Sequence, residues 1–231
     1  MAAVRIHGTQ RRRELSGVTS AGLTLLTLVL ACAASLVVAF ANGAYFDLVN
    51  GIIGARETVA RGLVFSSWLV LVGAVVVAWD PRSFGFRLGD IAAHWRLVAA
   101  TVAIAAVVTA MLVALTGPTP YSDASLLIET VVVPVTEELV FRAALLTLLV
   151  VVLGRLHERR TALALAVLFD GFAFGLAHVA NAVSIDPAWV LSQMTFASAL
   201  GAVCAYLMVR TRSVYPAMLL HGVVNSVVVL I

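Results

Sequence analysis

Seven long apolar runs separated by short polar breaks set the pattern of this chain. They lie near residues 18–41, 62–79, 97–116, 124–153, 161–180, 188–209 and 213–231. Runs of about 18 or more apolar residues are what a helix needs to cross hydrocarbon. The breaks carry turn and charge signals: "NGAYFDLVNGIIGARETVAR", "DPRSFGFRLGDIAAHWR", "TGPTPYSD", "GRLHERR", "NAVSIDP" and "RTRSVYP". Within the first of these, segment 45–60 has apolar residues at mixed spacing, which predicts a short helix lying in the membrane interface. No series of short alternating segments points to a β-barrel. The pattern predicts an all-α fold, a polytopic transmembrane bundle of about seven to eight helices.

Composition strengthens this picture. The chain has 231 residues, 62% hydrophobic and 12% charged, with a mean hydropathy of +1.05. Soluble domains carry about 25% charged residues, so this chain has too little polar surface for water and no stretch long enough for a separate soluble domain. Three regions follow: a basic segment 1–17, N-terminal membrane helices with their loops over 18–116, and a C-terminal core over 117–231. The first apolar run follows a basic stretch and contains "ACA", as a cleavable signal would, but it is too long for an ordinary signal core and reads as an anchor. Cys32 and Cys204 both sit in apolar runs and read as small buried hydrophobes.

The basic residues are all arginine, and their placement predicts an orientation. With the N-terminus in the cytoplasm, Arg5, Arg11, Arg12 and Arg13, then Arg82, Arg87 and Arg96, then Arg155, Arg159 and Arg160, then Arg210 and Arg212 all fall on the cytoplasmic side. Arg56 and Arg61 fall outside and Arg142 within the membrane. This is the positive-inside pattern, and it predicts an integral multi-pass protein with its N-terminus inside.

Arg142 belongs to the segment that carries the chemistry, "VVVPVTEELVFRAALLTLLVVVL" (131–153). An ionised group at the bilayer centre costs roughly 2.5–3.5 kcal/mol on insertion scales, so Glu137, Glu138 and Arg142 must face protein or water. Asp170 and His178 in the fifth run, and His221 and Asn225 in the seventh, raise the same question. Glu138 and Arg142 are four apart and can pair on one helix face. Glu137 and Arg142 diverge by about 140°, which leaves Glu137 to point elsewhere. His221 and Asn225 share a stripe, and Gly171 and Gly175 have the spacing that lets helices approach closely. Pro134 predicts a bend that opens a cavity. A carboxylate, two imidazoles and a carboxamide suit water activation and oxyanion binding. Taken singly, each has a structural reading: an ion pair, an interior histidine, an interhelical hydrogen bond. Asp170 could pair with an arginine or border a water pocket.

Together, "EELVFR", "FGLAH" and "HGVVN", in that order on successive membrane helices, resemble the three motifs of the CPBP family, which comprises CAAX prenyl endopeptidases and bacteriocin-processing or immunity proteins. The resemblance covers roughly 120–231, with "FGFRLGD" similar to an upstream loop of the family. It implies an intramembrane endopeptidase in which Glu137 activates water, His178 positions it, and His221 with Asn225 binds the oxyanion or holds the water. Glu138 and Arg142 would be the supporting ion pair. Such a protein acts on a membrane-associated or lipidated peptide or protein; its partners are that substrate and the lipid bilayer, with no nucleic acid. No cofactor is assured. Zinc is one option, with Glu137, His178 and His221 as candidate ligands, although H-E-x-x-H is absent; a metal-free glutamate mechanism is the other. The alternative function is a non-catalytic scaffold or bacteriocin-immunity protein using the same cavity. Helix register raises one difficulty. Counted from the cytoplasmic ends at 1.5 Å per residue, Glu137 and His178 lie about 25 Å deep and His221 about 12 Å.

Overall fold

The computed structural model describes residues 17–54, 57–117 and 125–231. Arg5, Arg11, Arg12, Arg13 and Arg56, and the "PTPYSD" part of the third break, lie outside the described residues. Those described form seven helices and no strand: α1 (Gly17–Ile53), α2 (Glu57–Trp79), α3 (Ile91–Thr116), α4 (Ile128–Leu156), α5 (Arg159–Leu176, continuing as a 3-10 turn over Ala177–Val183), α6 (Pro187–Thr211) and α7 (Tyr215–Leu230). The first six are long and apolar enough to cross a membrane; α7 is shorter and equally apolar.

One expected element is not separate. Segment 45–60 does not form its own interfacial helix, because α1 runs unbroken for 37 residues through it to Ile53. No proline interrupts this stretch, and the helix ends only at Gly54. That glycine takes a left-handed φ of 53° while its N–H caps the carbonyl of Asn50.

Burial divides the bundle. Only 17% of the apolar windows of α1, α2 and α3 is buried inside the protein, against 39% for α4, α5 and α6. The lipid-facing wall is therefore N-terminal and the packed interior C-terminal. The tightest pairing is α5 on α6. A Cβ on Gly171 would lie 2.6 Å from the Ala202 nitrogen, and one on Gly175 would overlap Ser198 Oγ. These glycines are what allow the two backbones to close, and they bring Asp170 and His178 toward the centre.

Helix α4 is irregular where the sequence places Pro134. Its turns over Ile128–Val132 and Leu139–Leu146 are wide π turns, flanking a short α stretch at Val133–Glu138. The Val133 N–H reaches back to the Ile128 carbonyl. Continuing that i+5 register would ask Pro134 to serve the Glu129 carbonyl, and proline has no N–H. In the α register the same missing donor orphans the Thr130 carbonyl. Helix α7 fills the gap: Asn225 Nδ2 donates to the Glu129 carbonyl at 3.0 Å. The bare Cα of Gly222 lies so near the Thr130 carbonyl that a Cβ would come within 2.6 Å of that oxygen. Asn225 and Gly222 are one turn apart, on one face of α7.

The difference in depth is resolved at the other end of α7. "FGFRLGD" (84–90) folds over the α6–α7 turn: Val214 N–H donates to the Gly85 carbonyl at 3.0 Å, Asp90 N–H to the Thr211 carbonyl at 2.7 Å, and Arg87 Nε to the Arg212 carbonyl at 3.0 Å. Gly85 and Gly89 have φ of 86° and 55°, and a Cβ on Gly89 would collide with the Thr211 carbonyl. Arg212, itself left-handed at φ 55°, pairs with both oxygens of Asp90 at 2.7 and 2.5 Å. Those hydrogen bonds, with the nearby positive charge, hold the Asp90 carboxyl below its ordinary value of 3.8. Under this clasp Ser213 and Val214 are fully buried. Val214 joins the cluster of Leu146, Leu149 and Leu153, so α7 begins well inside the bundle. Counting from its first residue as if that stood at the membrane surface made His221 appear too shallow.

Candidate active site

Two consecutive glutamates on α4 part company. Glu138 is fully buried; its Oε2 lies 3.1 Å from Arg142 Nε, the expected one-turn ion pair, and its Oε1 lies 2.9 Å from His221 Nδ1. Glu137 is rotated away from Arg142, with 22% of its side chain exposed. It lines a cavity of about 80 Å³ together with Asn42, Phe65, Trp68, Phe141 and Ala177. At about 10–15 Å³ of such space per water, there is room for several.

His221 stands between the two carboxylates. Its Nδ1 faces Glu138 and its Nε2 faces Glu137 Oε2 at 3.6 Å. His178 sits just past the α-to-3-10 transition of α5, with Nδ1 at 2.9 Å from the Phe174 carbonyl, which leaves Nε2 as its outward atom. Phe174 organises the group: its ring meets His178 edge-on at 5.1 Å, His221 at 5.5 Å and Phe141 at 5.0 Å. The Arg142 guanidinium lies over the same ring at 4.3 Å, a cation–π contact that gains value away from water.

Arg142 and Asp170 are completely buried, 3.5 Å apart, so the arginine serves two acids from two helices. Gly201 makes the space for it: a Cβ there would lie 3.1 Å from Arg142 Nη2. Asp170 is thus an arginine partner, one of the readings open from sequence. Asn225, four residues after His221, spends one amide hydrogen on the Glu129 carbonyl; its Oδ1 and second hydrogen remain.

A residue the sequence reading passed over is Glu129. It is buried at the head of α4 and pairs with Arg61 of α2 at 2.7 Å. The signal was there, a further acid in the same apolar run and an arginine at the start of the second, but Glu129 lay close enough to the break to pass for an end residue. Also unremarked were Asn42 of α1 and Trp68 of α2, joined by a 3.1 Å hydrogen bond in the wall facing Glu137.

A resident zinc ion needs three converging ligands. Among the described residues no three His, Cys, Asp or Glu side chains are gathered as a ready-made ion site. His221 has both nitrogens turned to carboxylates, and His178 has one on a backbone carbonyl.

Residues 119–227 match the family model described as type II CAAX prenyl endopeptidase Rce1-like. No curated protein and no solved structure matches the chain. The matched span contains α4, α5, α6 and nearly all of α7, and with them every residue gathered around Phe174.

Proposed function

From the match of residues 119–227 to the family model of Rce1-like type II CAAX prenyl endopeptidases, we propose that this chain is an intramembrane endopeptidase that cleaves a peptide bond in a membrane-associated or prenylated peptide, with Glu137 as the general base. The observation that supports this reading is the division between the paired glutamates. Glu138 is consumed by Arg142 and His221, whereas Glu137 opens onto the cavity beside His221 Nε2.

In the neutral tautomer that donates Nδ1–H to Glu138, His221 carries a lone pair on Nε2. That lone pair and the Glu137 carboxylate are two acceptors 3.6 Å apart. They do not bond each other, but one water on their open side donates to both. Glu137 takes a proton from this water as its oxygen attacks the substrate carbonyl, and then returns the proton to the leaving amine. His178 Nε2 is an acceptor because its Nδ1–H serves the Phe174 carbonyl; it alternates with His221 Nε2 in taking the second hydrogen of that water from the α5 side, and the unused amide hydrogen of Asn225 serves the oxyanion. Arg142 and Asp170 hold Glu138, so that Glu138 can fix the tautomer and tilt of His221. The N-terminus is cytoplasmic in this reading.

The test is cleavage of a farnesylated C-a-a-X reporter peptide by the purified protein, with Glu137→Gln alongside. General-base catalysis contributes about 10²–10⁴-fold, and a loss of that size is expected with the fold intact. Parental rates in Glu137→Gln would reject the role.

A further inference from the structure

The wall opposite Glu137 comes from α1 and α2, outside the residues that match the family. It contains one polar pair among apolar neighbours. Trp68 Nε1 donates to Asn42 Oδ1 at 3.1 Å. An indole N–H can only donate, so this contact fixes which end of the Asn42 carboxamide faces Trp68: the oxygen is used and the NH2 group is turned away. Asn42 Nδ2 has no hydrogen-bond partner among the described residues. The rest of the wall (Val38, Ala39, Phe65) offers no polar side chain. A carboxamide oriented by a second residue, with both hydrogens left over in a cavity it shares with a carboxylate, is arranged to receive an acceptor.

Were the acceptor Glu137 itself, the amide would occupy the carboxylate that the proposed mechanism leaves open to water. A peptide substrate brings backbone carbonyls, and an extended segment that fills this cavity displaces the few waters that could satisfy them. The geometry points to Asn42 as a substrate-binding residue that donates from Nδ2 to a backbone carbonyl of the peptide being cut, with Trp68 as the positioning residue that keeps the amide from turning over. This inference rests on the endopeptidase reading, and it places part of the peptide site on the N-terminal helices.

The experiment measures binding and cleavage separately. A dansylated, farnesylated C-a-a-X peptide is titrated into detergent-purified Glu137→Gln protein, and into the same protein carrying Asn42→Asp, Asn42→Ala or Trp68→Phe. Asn42→Asp is the informative change: it keeps an oxygen for Trp68 and the shape of the side chain, but removes both donors. One neutral hydrogen bond is worth on the order of 2–10-fold in affinity. Asn42→Asp and Asn42→Ala should weaken binding by at least that factor. Trp68→Phe, which frees the amide to rotate, should weaken it less. In the Glu137-containing protein the same Asn42 variants should raise KM more than they lower kcat. Thermal unfolding of each variant controls for misfolding. Binding by Asn42→Asp within twofold of its parent overturns the inference. If Asn42→Asp weakens binding while Glu137→Gln cleaves at the parental rate, the Asn42 assignment stands and the base assignment falls.

Discussion

Arg142 bridges two buried acids, and this predicts unequal costs for breaking the cluster from its two ends. At an effective dielectric of about 20, a unit charge pair at 3.1 Å is worth roughly 5 kcal/mol, and one at 3.5 Å nearly as much. Arg142→Met removes both attractions and leaves Glu138 and Asp170 buried without a countercharge, a change that costs about 3–5 kcal/mol. Asp170→Asn removes one attraction, but it also removes acid–acid repulsion and the burial of a net negative charge, since two carboxylates share one guanidinium. Its expected cost is about 1–2 kcal/mol. For a chain of this length each kcal/mol moves the melting temperature by about 2–4 °C, so Arg142→Met should unfold some 6–20 °C below the parent and Asp170→Asn only about 2–8 °C below. The fully buried Cys204 thiol reports unfolding through a thiol-reactive dye in a Cys32→Ser background. Adding Asp170→Asn to Arg142→Met should recover part of the loss. Equal damage from the two single changes, or no recovery in the double, would refute the bridging account.

Other expectations are separable from that one. Gly175→Ala forces a methyl into Ser198 Oγ and should cost about 1–3 kcal/mol by thermal unfolding, with Ser198→Ala restoring part of it. Asn225→Asp turns a donor into a carboxylate facing the Glu129 carbonyl; it should cost about 1–3 kcal/mol and lower cleavage, whereas Asn225→Gln should fail mainly in cleavage. The clasp is pH-sensitive: its Asp90 carboxyl is held down by the Arg212 hydrogen bonds, so its contribution is complete at neutral pH and is lost as pH falls through and below 3.8. The melting-temperature gap between parent and Asp90→Asn should therefore close on acidification from pH 6 to 3, and should narrow with added salt at pH 7. A gap that widens in acid would contradict the pairing.

The seven apolar runs were legible because membrane helices announce themselves through length and hydropathy, and the Glu138–Arg142 pair because a one-turn spacing admits few other partners. The same spacing gave the divergence of Glu137. What the pattern hid was set by contacts distant in sequence. The depth of His221 depends on a loop some 130 residues earlier clasping the α6–α7 turn. The engagement of Asn225 depends on a carbonyl that Pro134 leaves unserved on another helix. Asn42 and Trp68 were invisible for a plainer reason: single polar residues in a lipid-facing helix read as tolerated exceptions until their partner is seen. Segment 45–60 misled because mixed apolar spacing resembles an interfacial helix, while no proline stops α1 from continuing through it to Ile53.

The socket that Pro134 creates on α4 also has a consequence in time. Its occupant Asn225 is 96 residues downstream of Glu129, and His221 is 83 downstream of Glu138. At synthesis rates of about 5–20 residues per second, the ribosome needs on the order of 5–20 s to deliver α7 after α4 has entered the bilayer. During that interval the nascent chain carries its glutamates without the imidazole that completes them. The contacts of His221 and Asn225 with α4 therefore form only once α7 seats, and on the reading proposed above a chain that stops short of α7 has nothing with which to cut its neighbours.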